Sequence, residues 1–129
     1  MNLLDENIAA SQRQSLKRWR RFQQIGIDIG RKGLDDEEQI IPLLHRLGRV
    51  TFFTRDQGFF LRRLCHQSYC IVVLDVAPGD TAQRIRSFLS HPQFKSRAGR
   101  MGKVILASSK VFRIWQAGHA RQRTISWND

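Results

Sequence analysis

Acidic residues collect in four short clusters in this chain, and three of the clusters follow apolar runs typical of β-strands. The sequence has 11 Asp and Glu residues against 22 Lys and Arg residues, which gives a net charge of +11. Eight of the 11 acids lie in the four clusters, which are Asp5-Glu6, Asp35-Asp36-Glu37-Glu38, Asp56 and Asp75. Mg²⁺ and Mn²⁺ prefer such oxygen ligands, and either ion can activate water for attack on a phosphodiester. The pattern predicts a hard metal ion in a site that receives a polyanion.

Two predicted strands position these acids at one edge of a sheet. Strand one is predicted at Asn2 to Leu4, directly before Asp5. Strand three is predicted at Val50 to Thr54, shortly before Asp56. With strand one central and strand three beside it, the sheet order is 2-1-3-4, and a crevice opens between these two strands. The helix that begins in the second acidic cluster leads into strand three, so its first turn is expected at the same crevice. The predicted metal ligands are Asp5, Asp36, Glu37 and Asp56.

Each of these acids also has an ordinary structural explanation. Asp5 is a candidate cap for the first helix, and so is Asn7, whose other expected role is to orient Asp5. The acids at positions 35–38 suit the positive end of a helix dipole, and Asp56 can cap the helix after strand three. These alternatives stay open at the level of the sequence.

Two further polar residues are expected near the crevice. Thr54 either hydrogen-bonds an active-site carboxylate or fills a strand position. Asp75 ends strand four, one strand further from the crevice, and is expected to support the ligands indirectly or to be purely structural. Neither is predicted to be a principal ligand.

The remaining pattern alternates strands and helices, which is typical of an α/β fold with a mainly parallel central sheet. The predicted helices span 8–23, the acidic cluster to 47, 57–64 and 81–90. The predicted strands span 2–4, 25–29, 50–54 and 70–76, followed by a β-hairpin at 104–106 and 111–115 and an edge strand at 124–127. We predict one domain at 1–129, with an α/β core at 1–92 and a basic loop plus β-hairpin extension at 93–129, because the tail is too short to bury its own core.

The positive charge is clustered along the sequence, which favours a nucleic acid or an acidic partner protein. The alternative is a solvated surface on which long basic side chains cover apolar area. Cations that neighbour the acids along the chain are the predicted contacts to RNA phosphates. They are Arg31, Lys32, Arg55, Arg62 and Arg63.

Several other classes of protein do not fit the sequence. No apolar run is long enough to span a bilayer, and the N-terminus lacks the pattern of a secretory signal, so a cytoplasmic location is expected. Cys65 and Cys70 are expected to be reduced and partly buried, as in a cytosolic protein, and not bridged. Their spacing does not favour a zinc site. Neither a glycine-rich phosphate loop nor a Ser/His/Asp arrangement is present.

The ordered motifs of the first half resemble the PIN-domain nucleases, and more narrowly the short bacterial PIN-like proteins related to VapC toxins. The resemblance covers roughly residues 2–76, and four segments carry it. They are Leu3-Leu4-Asp5-Glu6-Asn7, Asp36-Glu37-Glu38-Gln39-Ile40, Gly48-Arg49-Val50, and Phe53-Thr54-Arg55-Asp56 with Phe59 three residues later.

This resemblance implies a three-layer α/β/α sandwich and Mg²⁺- or Mn²⁺-dependent cleavage of RNA, of toxin or RNA-processing type. It implies catalytic roles for Asp5, Glu37 and Asp56, where the spacing back from Arg49 favours Glu37 over Asp36. RNA is the expected partner, no membrane partner is expected, and a cognate antitoxin and a second copy of the chain are left open.

The chain departs from the family pattern in two places. It lacks a helical segment that carries a further Glu in full-length members. The family often has Asp-x-Asp-Phe after the strand, whereas here the residues are Asp56-Gln57-Gly58-Phe59. The alternative function is therefore a PIN-like module that binds RNA or protein through its basic surface without turnover.

Overall fold

The computed structural model describes residues 1–34 and 37–128. Strands within these residues are β1 (Asn2–Leu4), β2 (Gln23–Gln24), β3 (Val50–Thr54), β4 (Tyr69–Asp75), β5 (Lys103–Ser108), β6 (Val111–Gln116) and β7 (Arg123–Ser126). Helices are α1 (Ala10–Lys17), α2 (Glu37–Leu47), α3 (Thr81–Ser90) and the short α4 (Arg97–Arg100), with 3₁₀ turns at Gln57–Phe59, Arg62–Leu64 and Pro78–Asp80.

All seven described strands join one mixed sheet in the order β2-β1-β3-β4-β5-β6-β7. The predicted order 2-1-3-4 is confirmed for the first four strands. Strands β1 to β5 pair in parallel, whereas β6 and β7 are antiparallel to their neighbours. The expectation of a mainly parallel sheet was wrong, because the tail hairpin continues the central sheet from β5 and adds two antiparallel pairings.

Alternating side chains on the central strands form two hydrophobic cores, one on each face of the sheet. On β4, Cys70, Val72 and Leu74 belong to one core, and Tyr69, Ile71 and Val73 belong to the other. Buried residues of α1 and α3 complete the first core, and those of α2 complete the second. The continuous apolar runs of β3 and β4 are explained by this burial on both faces.

Several predicted boundaries agree with the structure, but the region after α1 does not. Helix α1 ends at Lys17, well before the predicted position 23, and β2 is Gln23–Gln24 instead of 25–29. Phe22 packs against Phe53 with ring centroids 6.2 Å apart, which brings the next residues alongside β1. Gly26 turns the chain with a φ of 83°, so the predicted strand reduces to a single bridge between Ile25 and Ile29.

The segment predicted as a helix at 57–64 consists of two 3₁₀ turns. Phe59 and Leu64 are buried as expected. Cys65 and Cys70 are both free thiols, and burial raises the pKa of Cys70 to about 12. Among the described residues, the helices are all too short or too polar to cross a bilayer.

Candidate active site

Asp5 lies at the carboxyl end of β1, where it extends the pairing of β1 with β3. Its backbone N–H donates to the Phe53 carbonyl over 2.9 Å. The side chain is only 5% exposed. Thr54 Oγ1 donates to Oδ2 over 2.6 Å, and the Glu6 N–H donates to Oδ1 over 2.7 Å. The Asp5 carboxylate is therefore fixed by one donor on each oxygen.

Thr54 connects this buried acid to an exposed one. Its hydroxyl accepts the Asp56 N–H over 3.0 Å while it donates to Asp5. Asp56 Oδ1 in turn accepts the Gly58 N–H over 2.9 Å, so Asp56 caps the first 3₁₀ turn. A carboxylate has about four lone-pair positions, and both acids retain free positions after these bonds. Capping by Asp56 is therefore compatible with ligand binding.

Burial gives the Asp5 carboxylate an unfavourable environment for its charge. Burial is the largest influence and raises the pKa of Asp5, and the nearby Asp56 and Glu6 carboxylates raise it further. Hydrogen bonds from Thr54 and Glu6 oppose the shift. A group of this kind is stabilised in its charged form by a bound cation, since an opposite charge offsets both burial and repulsion between acids.

Gln24 is a supporting residue that the sequence analysis did not identify. It is only 1% exposed, and its Nε2 donates to the carbonyls of Asp5 and Ile8, each over 2.9 Å. The third contact, to the Glu6 carbonyl, is 3.4 Å long. Gln24 therefore holds the turn that carries Asp5 against β2. The sequence predicts a helix that ends at position 23 and a strand that begins at position 25, so Gln24 falls between two predicted elements.

Glu6 fixes the loop that carries two predicted RNA contacts. The Gly33 N–H donates to Glu6 Oε2 over 2.9 Å. Arg31 and Lys32 immediately precede Gly33 and are both exposed. The structure thus places these two cations beside the turn that contains Asp5.

Glu37 is held by a cation in this structure. Arg63 Nη1 donates to Glu37 Oε2 over 2.7 Å, and Nη2 contacts Oε1 to complete a two-pronged ion pair. The hydrogen bonds from Arg63 lower the pKa of Glu37. A predicted catalytic acid and a predicted RNA contact are therefore engaged with each other. Asp36, the other predicted ligand of this cluster, lies outside the described residues.

The remaining predicted residues make contacts of their own or are exposed. Asp75 is exposed at the end of β4 and accepts from Gln57 Nε2 over 3.1 Å. Arg55 donates to the Val76 carbonyl over 3.0 Å, and Arg62 is exposed. Asn7 is exposed and does not cap α1, whose N-cap position is Ala9.

A metal ion at this place would be held by at most two side chains of the described residues. Within residues 1–34 and 37–128, no three His, Cys, Asp or Glu side chains are grouped so that they could hold a metal ion. Mg²⁺ commonly binds through one or two carboxylates, retains several waters and takes further oxygens from substrate phosphates. Asp5 and Asp56 are two carboxylates that Thr54 connects, and a cation beside them would offset the burial of Asp5.

Comparisons of the chain with protein-family models, curated proteins and solved structures give no match. The resemblance to PIN-like nucleases therefore stays a prediction that rests on the motifs.

Replacing Thr54 by Val should destabilise the protein by about 2 kcal/mol at neutral pH, because a buried charge loses its hydrogen-bond donor. Without that donor the pKa of Asp5 rises further. The loss of stability should therefore grow as the pH rises and Asp5 ionises, and it should be small near pH 4. Urea unfolding at the two pH values measures it, with Thr54→Ser as the control that keeps the hydroxyl. Equal stability of the two variants at neutral pH would contradict the bridging role.

Proposed function

We propose that this protein is a metal-dependent ribonuclease of PIN-like type, acting as a toxin or in RNA processing. The observation that carries the proposal is the link from Asp5 through Thr54 to Asp56 at the carboxyl ends of β1 and β3. These strands lie at the point in the sheet order where a ligand crevice forms in α/β folds. An acidic crevice in a chain of net charge +11 suits a cation that itself receives a phosphate.

The finer fold assignment is part of the same proposal. A three-layer α/β/α arrangement of PIN-like type is supported by the strand order and by helices that complete cores on both faces of the sheet. It is also supported by the match between the quoted motifs and the ends of β1 and β3.

Each residue of the site has a distinct task in the proposed reaction. Asp5 and Asp56 hold Mg²⁺ or Mn²⁺, and Thr54 keeps Asp5 oriented. The bound ion supplies Lewis-acid stabilisation of charge on the phosphate and lowers the pKa of water. Arg31 and Lys32 contact the phosphates on either side, which orients the RNA in the crevice.

Glu37 joins this site only when it is released from Arg63. The side chain of Arg63 is 65% exposed and that of Glu37 is 31% exposed, and ion pairs open to solvent on one side are readily exchanged. An RNA phosphate offers Arg63 an alternative two-pronged partner. Arrival of the substrate would therefore free Glu37 as a third acid.

The alternative function is RNA or protein binding without turnover. The Glu37–Arg63 pair favours it, because an engaged acid is not a metal ligand. The small number of acids grouped together in the described part of the chain favours it as well.

A manganese titration separates the two functions. Wild-type protein should bind Mn²⁺ with measurable heat, and at 100 times the Kd the metal should add about 2.7 kcal/mol to the free energy of unfolding. Asp5→Asn should abolish both effects. Asp75→Asn is the matched control, because it removes the same charge from an exposed acid at a neighbouring strand end. Absence of Mn²⁺ binding by the wild type would favour the binding module.

A further inference from the structure

The two edges of the sheet at which its parallel strands begin and end carry different sets of charged residues. Parallel strands all begin at one edge and end at the other. Asp5, Asp56 and Asp75 lie where β1, β3 and β4 end. At the opposite edge, where the parallel strands begin, six cations lie just before β2, β3 and β5 or at the first residue of β5. We call this edge the basic edge. Its six cations are Arg20, Arg21, Arg49, Arg97, Arg100 and Lys103.

Arg100 is the most buried member of the basic edge. It is 9% exposed. Its Nε donates to Thr51 Oγ1 over 3.0 Å, and Nη1 donates to the Phe94 carbonyl over 2.8 Å. Both acceptors are neutral, and in residues 1–34 and 37–128 Arg100 forms no salt bridge with a carboxylate. A buried guanidinium without a counter-charge is energetically unfavourable unless an anion from outside the chain supplies one.

The charged neighbours of Arg100 increase this imbalance. Burial is the main cause that lowers the pKa of Arg100, and the positive charges of Arg97 and Arg20 lower it further. Asp28 is an acid that lines the same cavity as Arg20. Asp28 is itself paired with Lys17 at 3.5 Å. The cluster therefore retains a local excess of positive charge.

A cavity at the same edge has room for a phosphate group. It measures about 290 Å³ and is lined by Met1, Asn2, Arg21 and Gln23. Asn2 pairs in register with Thr51, the residue that accepts the bond from Arg100. The cavity at Asn2 and the Arg100 guanidinium at Thr51 therefore lie at the starts of the neighbouring strands β1 and β3.

We propose that the basic edge binds the phosphate backbone of RNA, at the opposite end of the strands from the Asp5 and Asp56 pair. From β2 to β5 there are four strand spacings, or roughly 19 Å, which suits a row of successive phosphates. Five of the six cations are arginines, whose planar forks match phosphate oxygens. The choice of RNA over an acidic protein rests on the proposed function, whereas the anion site itself does not.

The test measures binding separately from cleavage. Anisotropy of a fluorescent single-stranded RNA is recorded in EDTA at several salt concentrations, with wild type, Arg21→Gln, Arg97→Gln and their double variant. Arg21 and Arg97 are exposed, so their replacement should spare the fold. Arg100 is left unchanged, because its buried side chain also holds Thr51 and Phe94 by hydrogen bonds. Lys110→Gln is the matched control, because it removes one exposed charge from the turn after β5, at the acidic edge.

Each single substitution at the basic edge should weaken RNA binding severalfold and reduce the slope of log K against log salt by about 0.7. The double variant should reduce that slope by about twice as much. Lys110→Gln should leave the slope unchanged. Variants that bind RNA as tightly as Lys110→Gln would overturn the proposal even if the wild type cleaves RNA. If the variants lose RNA binding and the wild type cleaves no RNA, the basic edge is supported and the proposed nuclease activity is refuted. Tighter binding of polyglutamate than of RNA would also overturn the proposal, in favour of an acidic protein.

Discussion

Replacing Asp5 by Asn should reduce metal-dependent RNA cleavage about a thousandfold and leave the protein folded. The substitution removes the negative charge that holds the ion but keeps an oxygen that accepts the Glu6 N–H. Loss of metal-mediated charge stabilisation is worth several kcal/mol, and about 4 kcal/mol corresponds to a thousandfold in rate. Initial rates on a labelled RNA with saturating Mn²⁺ measure the effect.

The same variant has a distinctive pH dependence. In the wild type, burial raises the pKa of Asp5, so the folded protein binds a proton more tightly than the unfolded chain does. Metal-free stability should therefore fall as the pH rises from the unfolded pKa through the raised folded pKa. Asp5→Asn should lack this decline and be at least as stable as the wild type at neutral pH. Cleavage has the opposite trend, because it needs ionised Asp5 and is lost as the pH falls through the raised pKa.

Asp75→Asn controls for removal of an exposed acid and should retain most of the cleavage rate. Cleavage by Asp5→Asn at the wild-type rate would rule out Asp5 as a ligand. An unfolded Asp5→Asn would contradict the predicted stability, and the manganese titration of the wild type would then decide the metal site.

Replacing Gln24 by Met should destabilise the protein by about 3 kcal/mol. The amide of Gln24 donates to the Asp5 and Ile8 carbonyls, and Met has a similar length without any donor. Two carbonyls would lose a buried hydrogen-bond partner, each at a cost of about 1–3 kcal/mol. The free energy of unfolding from urea titration measures the loss.

Gln14→Met is the matched control for Gln24→Met, because Gln14 is exposed on α1. Its substitution should change the free energy of unfolding by about 0.5 kcal/mol or less. If both variants have the same stability, Gln24 does not support the turn that carries Asp5.

Strands that are buried on both faces were predictable from the sequence. The apolar run Val50–Thr54 gives β3 with its predicted bounds, and helix α3 at Thr81–Ser90 is also as predicted. Apolar runs and turn residues are strong local signals, because they decide which segments can be buried. The sheet order followed from the same signals together with the rules for parallel crossovers.

Other features depend on contacts between residues distant in sequence and could not be predicted locally. Polar Gln23 and Gln24 form β2 because they pair with β1, although their composition favours a helix or a loop. The engagement of Glu37 by Arg63 joins residues 26 positions apart, so spacing alone assigned them separate roles. The motifs marked Asp5 and Asp56 as candidate ligands and a bond from Thr54 to a carboxylate as one alternative. The structure shows that the Thr54 hydroxyl bonds to both residues.

The six cations of the basic edge lie at the opposite ends of the strands from Asp5, Asp56 and Asp75. If the basic edge makes the first contact with a nucleic acid, the phosphates are bound at the end of the strands that lacks Asp5 and Asp56. The proposed cleavage centre then points away from the first point of attachment. Only a nucleic acid that curves around the domain, or is long enough to fold back, reaches both ends at once. The charge distribution would therefore discriminate against very short oligonucleotides.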